Sequence, residues 1–219
     1  NIVIRNFKSF KEETINLDKL NILVGSNAAG KSNTIAILRF LNYVISNGLE
    51  NALSLSGGIE YVLNTTIGRK SPMFIGFSLN CEEEEWVYLA NKKKNDRLLF
   101  AGIDYEFEIT PHKRGDGYRI THDYLTIKYY QVTEEKKDLV LFNRNKIISV
   151  EYKRNAKGIT TNFINKSDIS GENDIQEEIV PTFLNRYMNR NRKELILNYM
   201  RFFMPPMFYS RSEEHTSEL

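Results

Sequence analysis

The sequence of 219 residues holds a single cysteine, Cys81, and only three histidines. One thiol cannot build a disulfide framework, and no Cys/His spacing suits zinc, so no metal cage and a reducing compartment are expected. Long hydrophobic runs are also missing. Nothing approaches the roughly 20 apolar residues that cross a bilayer, and the opening NIVIRNF lacks the basic-then-apolar build of a signal peptide. The expectation is a cytoplasmic protein with no membrane partner. Charge of one sign is absent too: 30 Lys and Arg stand against 28 Asp and Glu, a net +2, so no polybasic or polyacidic character dominates. With 41% hydrophobic residues, the composition is that of an ordinary globular chain.

The chain opens on Asn1, and its last nine residues, RSEEHTSEL from Arg211 to Leu219, carry no apolar periodicity. That string resembles the translation of a sequencing adapter and is set aside from the fold reading. The expectation is that the native protein continues beyond Ser210, with further motifs downstream.

The most informative stretch is NILVGSNAAGKSNTIAIL, Asn21 to Leu38. Leu20 to Val24 is a branched apolar run closed by Gly25, which predicts a buried strand. After Ser32, Ile35, Ile37, Leu38, Leu41, Val44 and Ile45 recur at helical intervals until Ser46-Asn47-Gly48 ends the pattern. Between them, Gly25-Ser26-Asn27-Ala28-Ala29-Gly30-Lys31-Ser32 fits G-x-x-x-x-G-K-[ST] at every specified position. This is a P-loop. Glycines let the backbone come close, so that successive N–H groups at a helix N-terminus converge on phosphate oxygens. Lys31 would bring its ammonium to the β- and γ-phosphates of a nucleotide, and the Ser32 hydroxyl would ligate Mg²⁺.

Many unrelated proteins share that loop, so the flanks must narrow the reading. Upstream lies IVIRNFKSF, an alternating strand and a polar turn, followed by a second strand around Thr14 to Leu17. Downstream, Asn27 and Asn33 bracket the loop as GSNAAGKSN. From Ile2 to about Leu41 the chain resembles the N-terminal head of ABC-type ATPases of the SMC, RecF and OLD kind, and its middle resembles the variable part of AAA-type members of that group. The resemblance implies an α/β P-loop NTPase fold: a three-layer ABC-type ATPase head, present in part, with an antiparallel β-subdomain and the start of a helical insertion. It implies ATP and Mg²⁺ as cofactors, with Gly25 to Asn33 around the nucleotide and Ser32 on the metal. It makes Lys8, in NFKS, a further nucleotide contact, against the plainer reading of an exposed strand lysine. It also implies a homodimer with ATP sandwiched between heads, hydrolysis coupled to head opening and closing, and a role in DNA repair, DNA maintenance or antiviral defence beside a DNA or nuclease partner.

The division expected is 1–80 for the P-loop lobe, 81–165 for the β-subdomain, 166–210 for the helical start and 211–219 for the non-native tail. Strand-like runs are LLFAGIDYEFEIT, GYRITHDYLTIKYYQV, DLVLFNR, KIISVEYK and GITTNFIN, separated by turn or charge clusters such as PHKRGDG and KRNAKG. From Asn173, Ile175, Ile179, Phe183, Leu184, Tyr187, Leu195 and Met200 recur at helical spacing around Pro181, without the sustained heptad of a coiled coil. The remaining family motifs, a lobe glutamine, a signature, a Walker B acidic pair and a switch histidine, cannot be assigned. Gln131 in KYYQVTEE reads better as a solvated strand residue, and no apolar run ends in Asp-Glu.

Rival signals are weaker. Asn165-Lys166-Ser167-Asp168 fits the N-K-x-D by which GTPases read guanine, but Asp168 to Gly171, the D-x-x-G that should precede it, overlaps it instead. A polar turn is the plainer reading. Arg186, Arg190, Arg192 and Lys193 around Tyr187 could grip nucleic-acid phosphates, although a solvated helix face is commoner. The clusters CEEEEW and NKKKND flank Trp86 to Leu89 and read as hairpin decoration. His112 and His122 lack the partners of a catalytic triad. From another class comes an interaction module in which nucleotide only switches assembly and hydrolysis is lost.

Overall fold

A computed structural model describes residues 1–27, 29–68, 71–80, 87–89, 97–113, 117–134, 140–155, 158–164 and 194–200. Strand β1 (Ile2–Phe7) pairs with β2 (Phe10–Ile15) across a short turn, Phe7 facing Phe10. Helix α1 (Lys31–Asn47), α2 (Leu49–Leu55) and the single turn α3 (Ile59–Val62) follow. The strands β3 (Met73–Asn80), β4 (Val87–Leu89), β5 (Arg97–Pro111), β6 (Tyr118–Glu134), β7 (Val140–Asn155) and β8 (Gly158–Ile164) come next, and α4 (Ile196–Met200) is the last element described.

All eight strands join one sheet in the order β2-β1-β3-β5-β6-β7-β8, with β4 paired to the start of β5 and every pairing antiparallel. The ladder crosses residue 80 without a break, since β3 pairs with β1 on one side and β5 on the other. Period-2 alternation sorts the faces. Ile2 and Ile4 of β1, Ile75 of β3, Phe107 of β5 and Leu125 of β6 are buried in one cluster with Ile37, Phe40 and Val44 of α1. Ring centroids of Phe7 and Phe40 lie 5.6 Å apart. The opposite face carries Arg5 over the Phe74 ring at 4.1 Å and the pairs Lys128–Asp104 at 2.5 Å and His122–Glu106 at 2.6 Å. Among the described residues the helices therefore cover one face, giving two layers where three were expected.

The two runs around Asn143 to Lys146 are one strand rather than two. Tyr130 faces Ile147 while Gln131 faces Asn143, so the polar residues between form a bulge and the ladder resumes beyond it. At Gly102 the backbone has φ 151°, and a Cβ would stand 2.3 Å from the Leu79 carbonyl oxygen. Gly102→Ala is therefore expected to destabilise the fold by about 1–3 kcal/mol, read as a lower urea midpoint. An unchanged midpoint would mean that the two backbones do not approach so closely.

The largest departure from expectation lies at Leu20 to Val24. No strand forms there, and Leu20, Ile22, Leu23 and Val24 are 80, 78, 44 and 89% exposed. A strand needs a ladder partner, and Leu20 to Val24 pairs with none of the described strands. Apolar pattern alone could not supply the missing neighbour. The proposed turn NKSD, the basic run 186–193, Pro181, Cys81 and the tail 211–219 lie outside the described residues.

Candidate functional site

Gly30 is where the loop becomes helix. Its φ of 90° and ψ of −2° are left-handed, a conformation that glycine adopts without cost, and its carbonyl accepts from the N–H groups of Asn33 and Thr34, both at 3.0 Å. Thr34 Oγ1 also donates to that carbonyl at 3.3 Å. The N–H groups before them, of Lys31 and Ser32, have no carbonyl within the helix to reach. No acidic residue stands in that turn, so the positive end of the helix dipole is not offset by its own side chains.

Before the helix, the loop doubles back. Ala29 N–H donates to the Ser26 carbonyl at 3.3 Å, and Lys31 Nζ donates to the carbonyls of Gly25 and Ser26, each at 2.6 Å. A Cβ on Gly25 would meet the Ala29 methyl at 3.2 Å, so the small residues permit the close fold. Lys31 is half-buried, while Ser26, Asn27, Ala29 and Ser32 are exposed. Ala28 lies outside the described residues. Gly25 to Asn27 and Ala29 to Asn33 are thus gathered around one helix N-terminus carrying an ammonium.

The turn between β1 and β2, which carries Lys8 and Ser9, approaches the start of α1. Asn33 Nδ2 donates to Ser9 Oγ at 2.6 Å, which ties the β1–β2 turn to the first turn of α1. Lys8 has φ 46° and Asn6 φ 56°, two left-handed residues with side chains within three positions. The sequence reading singled out Lys8 but missed Asn6 and Ser9. Asparagine's tolerance of left-handed backbone, at the end of a strand, was the available signal.

The donor set suits a polyphosphate: one ammonium, unpaired helix-end amides and the Ser32 hydroxyl. For Mg²⁺ the described residues offer that hydroxyl alone, and no group of three acidic, His or Cys side chains occurs among them. One hydroxyl with phosphate and water oxygens is compatible with octahedral Mg²⁺. His112 is exposed, and His122 pairs with Glu106 on the sheet face away from the helices. Neither joins the P-loop.

A second polar centre lies in the core. The Asp123 carboxylate has 0% side-chain exposure and meets Arg154 Nε at 2.9 Å, the Tyr105 hydroxyl at 2.8 Å and the Ile196 N–H at 3.0 Å. Burial pushes the Asp123 carboxyl above its ordinary range, with Arg154 the largest opposing influence. Burial and the neighbouring Asp123 likewise raise the Tyr105 phenol. Arg154 also donates to the Glu194 carbonyl, and Asn198 Nδ2 donates to the Val44 carbonyl at 2.6 Å, so 194–200 is pinned between the sheet and the far end of α1. No helix of the described residues is long and apolar enough to cross a membrane.

Among known proteins, a stretch of 41 residues is 49% identical to Endonuclease GajA of Bacillus cereus (strain VD045). That stretch is 19% of this chain and 7% of that protein. No solved structure matches the chain. The family model described as AAA ATPase domain matches residues 1–214. With nearly the whole sequence matched, and a P-loop standing at a helix N-terminus, the chain belongs to the AAA ATPase domain family.

Proposed function

We propose that the chain is the nucleotide-binding part of an ABC-type ATPase head, which in the whole protein hydrolyses ATP as two heads close around it. The observation that carries this reading is Lys31, held beside the loop carbonyls at the start of a 17-residue helix whose first turn has no carboxylate. In the reading, Gly25 to Gly30 wrap the phosphates, Lys31 exchanges carbonyl partners for the β- and γ-phosphates, and Asn27 and Asn33 border the loop. Lys8 closes the opposite wall. Mg²⁺, held by Ser32, would neutralise phosphate charge and orient the terminal phosphate.

Positioned charge lowers the barrier only in part, because in-line attack also needs an oriented water and stabilisation of developing charge. The reading assigns those to a Walker B carboxylate and to a signature motif donated by a second head. Homodimerisation through ATP, a DNA or nuclease partner, and a role in DNA repair, DNA maintenance or defence against invading DNA are parts of the same proposal. They are supported by the resemblance of Ile2 to Leu41 and by the relative named an endonuclease. The division at residues 80, 165 and 210 is kept as a proposal about the whole protein.

Phosphate release from Mg-ATP and Mg-GTP tests the proposal, with binding of both measured on the same chain. The expected result is ATP bound at least as tightly as GTP, with turnover barely above background for this chain alone. GTP bound about tenfold tighter would favour the guanine reading of Asn165 to Asp168. Robust turnover dependent on Lys31 would mean that a catalytic carboxylate lies within these residues.

A further inference from the structure

We propose that Asn6 is a positioning residue for the nucleotide site, holding the Lys8–Ser9 turn as a preformed wall against the first turn of α1. The inference rests on the reading that ATP occupies the P-loop.

Asn6 is 2% exposed, yet its amide is almost fully engaged. Nδ2 donates to the Ser71 carbonyl at 2.7 Å and to the Gly68 carbonyl at 3.2 Å, while Oδ1 accepts from the Asn64 N–H at 3.2 Å. Asn64 Oδ1 in turn accepts from the N–H groups of Thr66 and Ile67 at 2.9 and 3.2 Å, so one buried amide fastens the end of β1 to an ordered loop. Two residues on, Lys8 N–H donates to the Val62 carbonyl at 2.8 Å, and Phe7 between them is fully buried and bridges Leu63. The chain is therefore anchored on both sides of Phe7.

That anchoring maintains an unfavourable conformation. Asn6 tolerates left-handed backbone through its short polar side chain, whereas Lys8 has no such help at φ 46°. A strained residue persists only where its surroundings over-determine it. Here the surroundings are the Asn6 amide and the Val62 carbonyl. A two-residue connection between β1 and β2 could be made more cheaply with glycine. What this turn gains is placement: Ser9 Oγ sits 2.6 Å from Asn33 Nδ2, two residues past Lys31, with the Lys8 backbone adjacent. Preorganised cations cost less to align with a ligand than mobile ones. Asn6 thus acts on nucleotide through Lys8, without touching it.

The test is a double-mutant cycle on the full chain, titrated with a fluorescent ATP analogue and Mg²⁺. Lys8→Gly keeps the left-handed turn and removes the ammonium. Asn6→Gly keeps the backbone option and removes the anchors. Each single change is expected to weaken binding about tenfold, the scale of one charged hydrogen bond. The double variant should bind no worse than Lys8→Gly, because Asn6 works through Lys8. If Asn6→Gly does not fold, Asn6→Asp, nearly isosteric and tolerant of the turn, replaces it in the cycle. Wild-type affinity in a folded Asn6 variant, or fully additive losses, would overturn the inference while leaving the ATP reading intact. A wild-type chain whose binding is absent, or indifferent to Lys31→Ala, would overturn the ATP reading and this inference with it.

Discussion

Arg154→Met is expected to cost about 3–5 kcal/mol of stability at neutral pH, the scale for removing one partner of a buried ion pair. Methionine fills much of the volume, so the loss is electrostatic rather than a cavity. It leaves the Asp123 carboxylate in the core with, among the described residues, only the Tyr105 hydroxyl and the Ile196 N–H as donors. It also removes the donor to the Glu194 carbonyl, loosening the hold on 194–200.

The pH dependence has a definite sign. Burial already raises the Asp123 carboxyl, and Arg154 is the largest influence holding it down, so removing Arg154 lifts it further. A carboxyl whose folded pKa lies above its unfolded value of about 3.9 binds its proton more tightly in the folded state. The penalty in Arg154→Met is therefore full above the folded pKa and relieved as pH falls through it. Urea unfolding at about pH 7 and about pH 5 should show the deficit shrinking in acid. Combining Arg154→Met with Asp123→Asn should recover part of the loss, since no uncompensated charge then remains. A single-variant loss below about 1 kcal/mol, the range of exposed pairs, would mean the pair is not buried as described.

This centre was legible in the sequence, although the reading passed over it. On β6, Asp123 shares the inward set with Leu125 and Ile127, and on β7 Arg154 shares it with Val150 and Tyr152. A charge at an apolar position of an alternating strand signals a buried pair, and each needed the other in adjacent register to be recognised. The P-loop was legible because its residues lie within eight consecutive positions and each is chosen by local geometry. Helix α1 followed from period and from Gly48, whose φ of 85° closes it. Two things escaped. Residues Leu20 to Val24 have the composition of a buried strand, but pairing is a non-local property. The bulge between Asn143 and Ile147 reads as a turn, because polar residues mark both features and only the neighbouring strand tells them apart.

The second large effect is on affinity. Lys31→Ala removes the loop's own ammonium while leaving the helix start intact, since Gly30 and Thr34 hold the first turn through backbone and hydroxyl bonds. The carbonyls of Gly25 and Ser26 that Lys31 now meets are exposed, so water can replace it and the melting temperature should barely change. A hydrogen bond to a charged group is worth about 1.5–3 kcal/mol. Loss of one such bond to phosphate corresponds to about tenfold to a hundredfold weaker binding. Salt should weaken wild-type binding more than that of the variant, because the ammonium carries much of the attraction.

Titration of Mg²⁺ and a fluorescent ATP analogue into the full chain, wild type beside Lys31→Ala, is the direct measurement. Saturable wild-type binding, at least about tenfold tighter than that of an equally stable Lys31→Ala chain, is the predicted result. Equal affinity in the two chains would contradict the assignment of Gly25 to Ser32 as the nucleotide site.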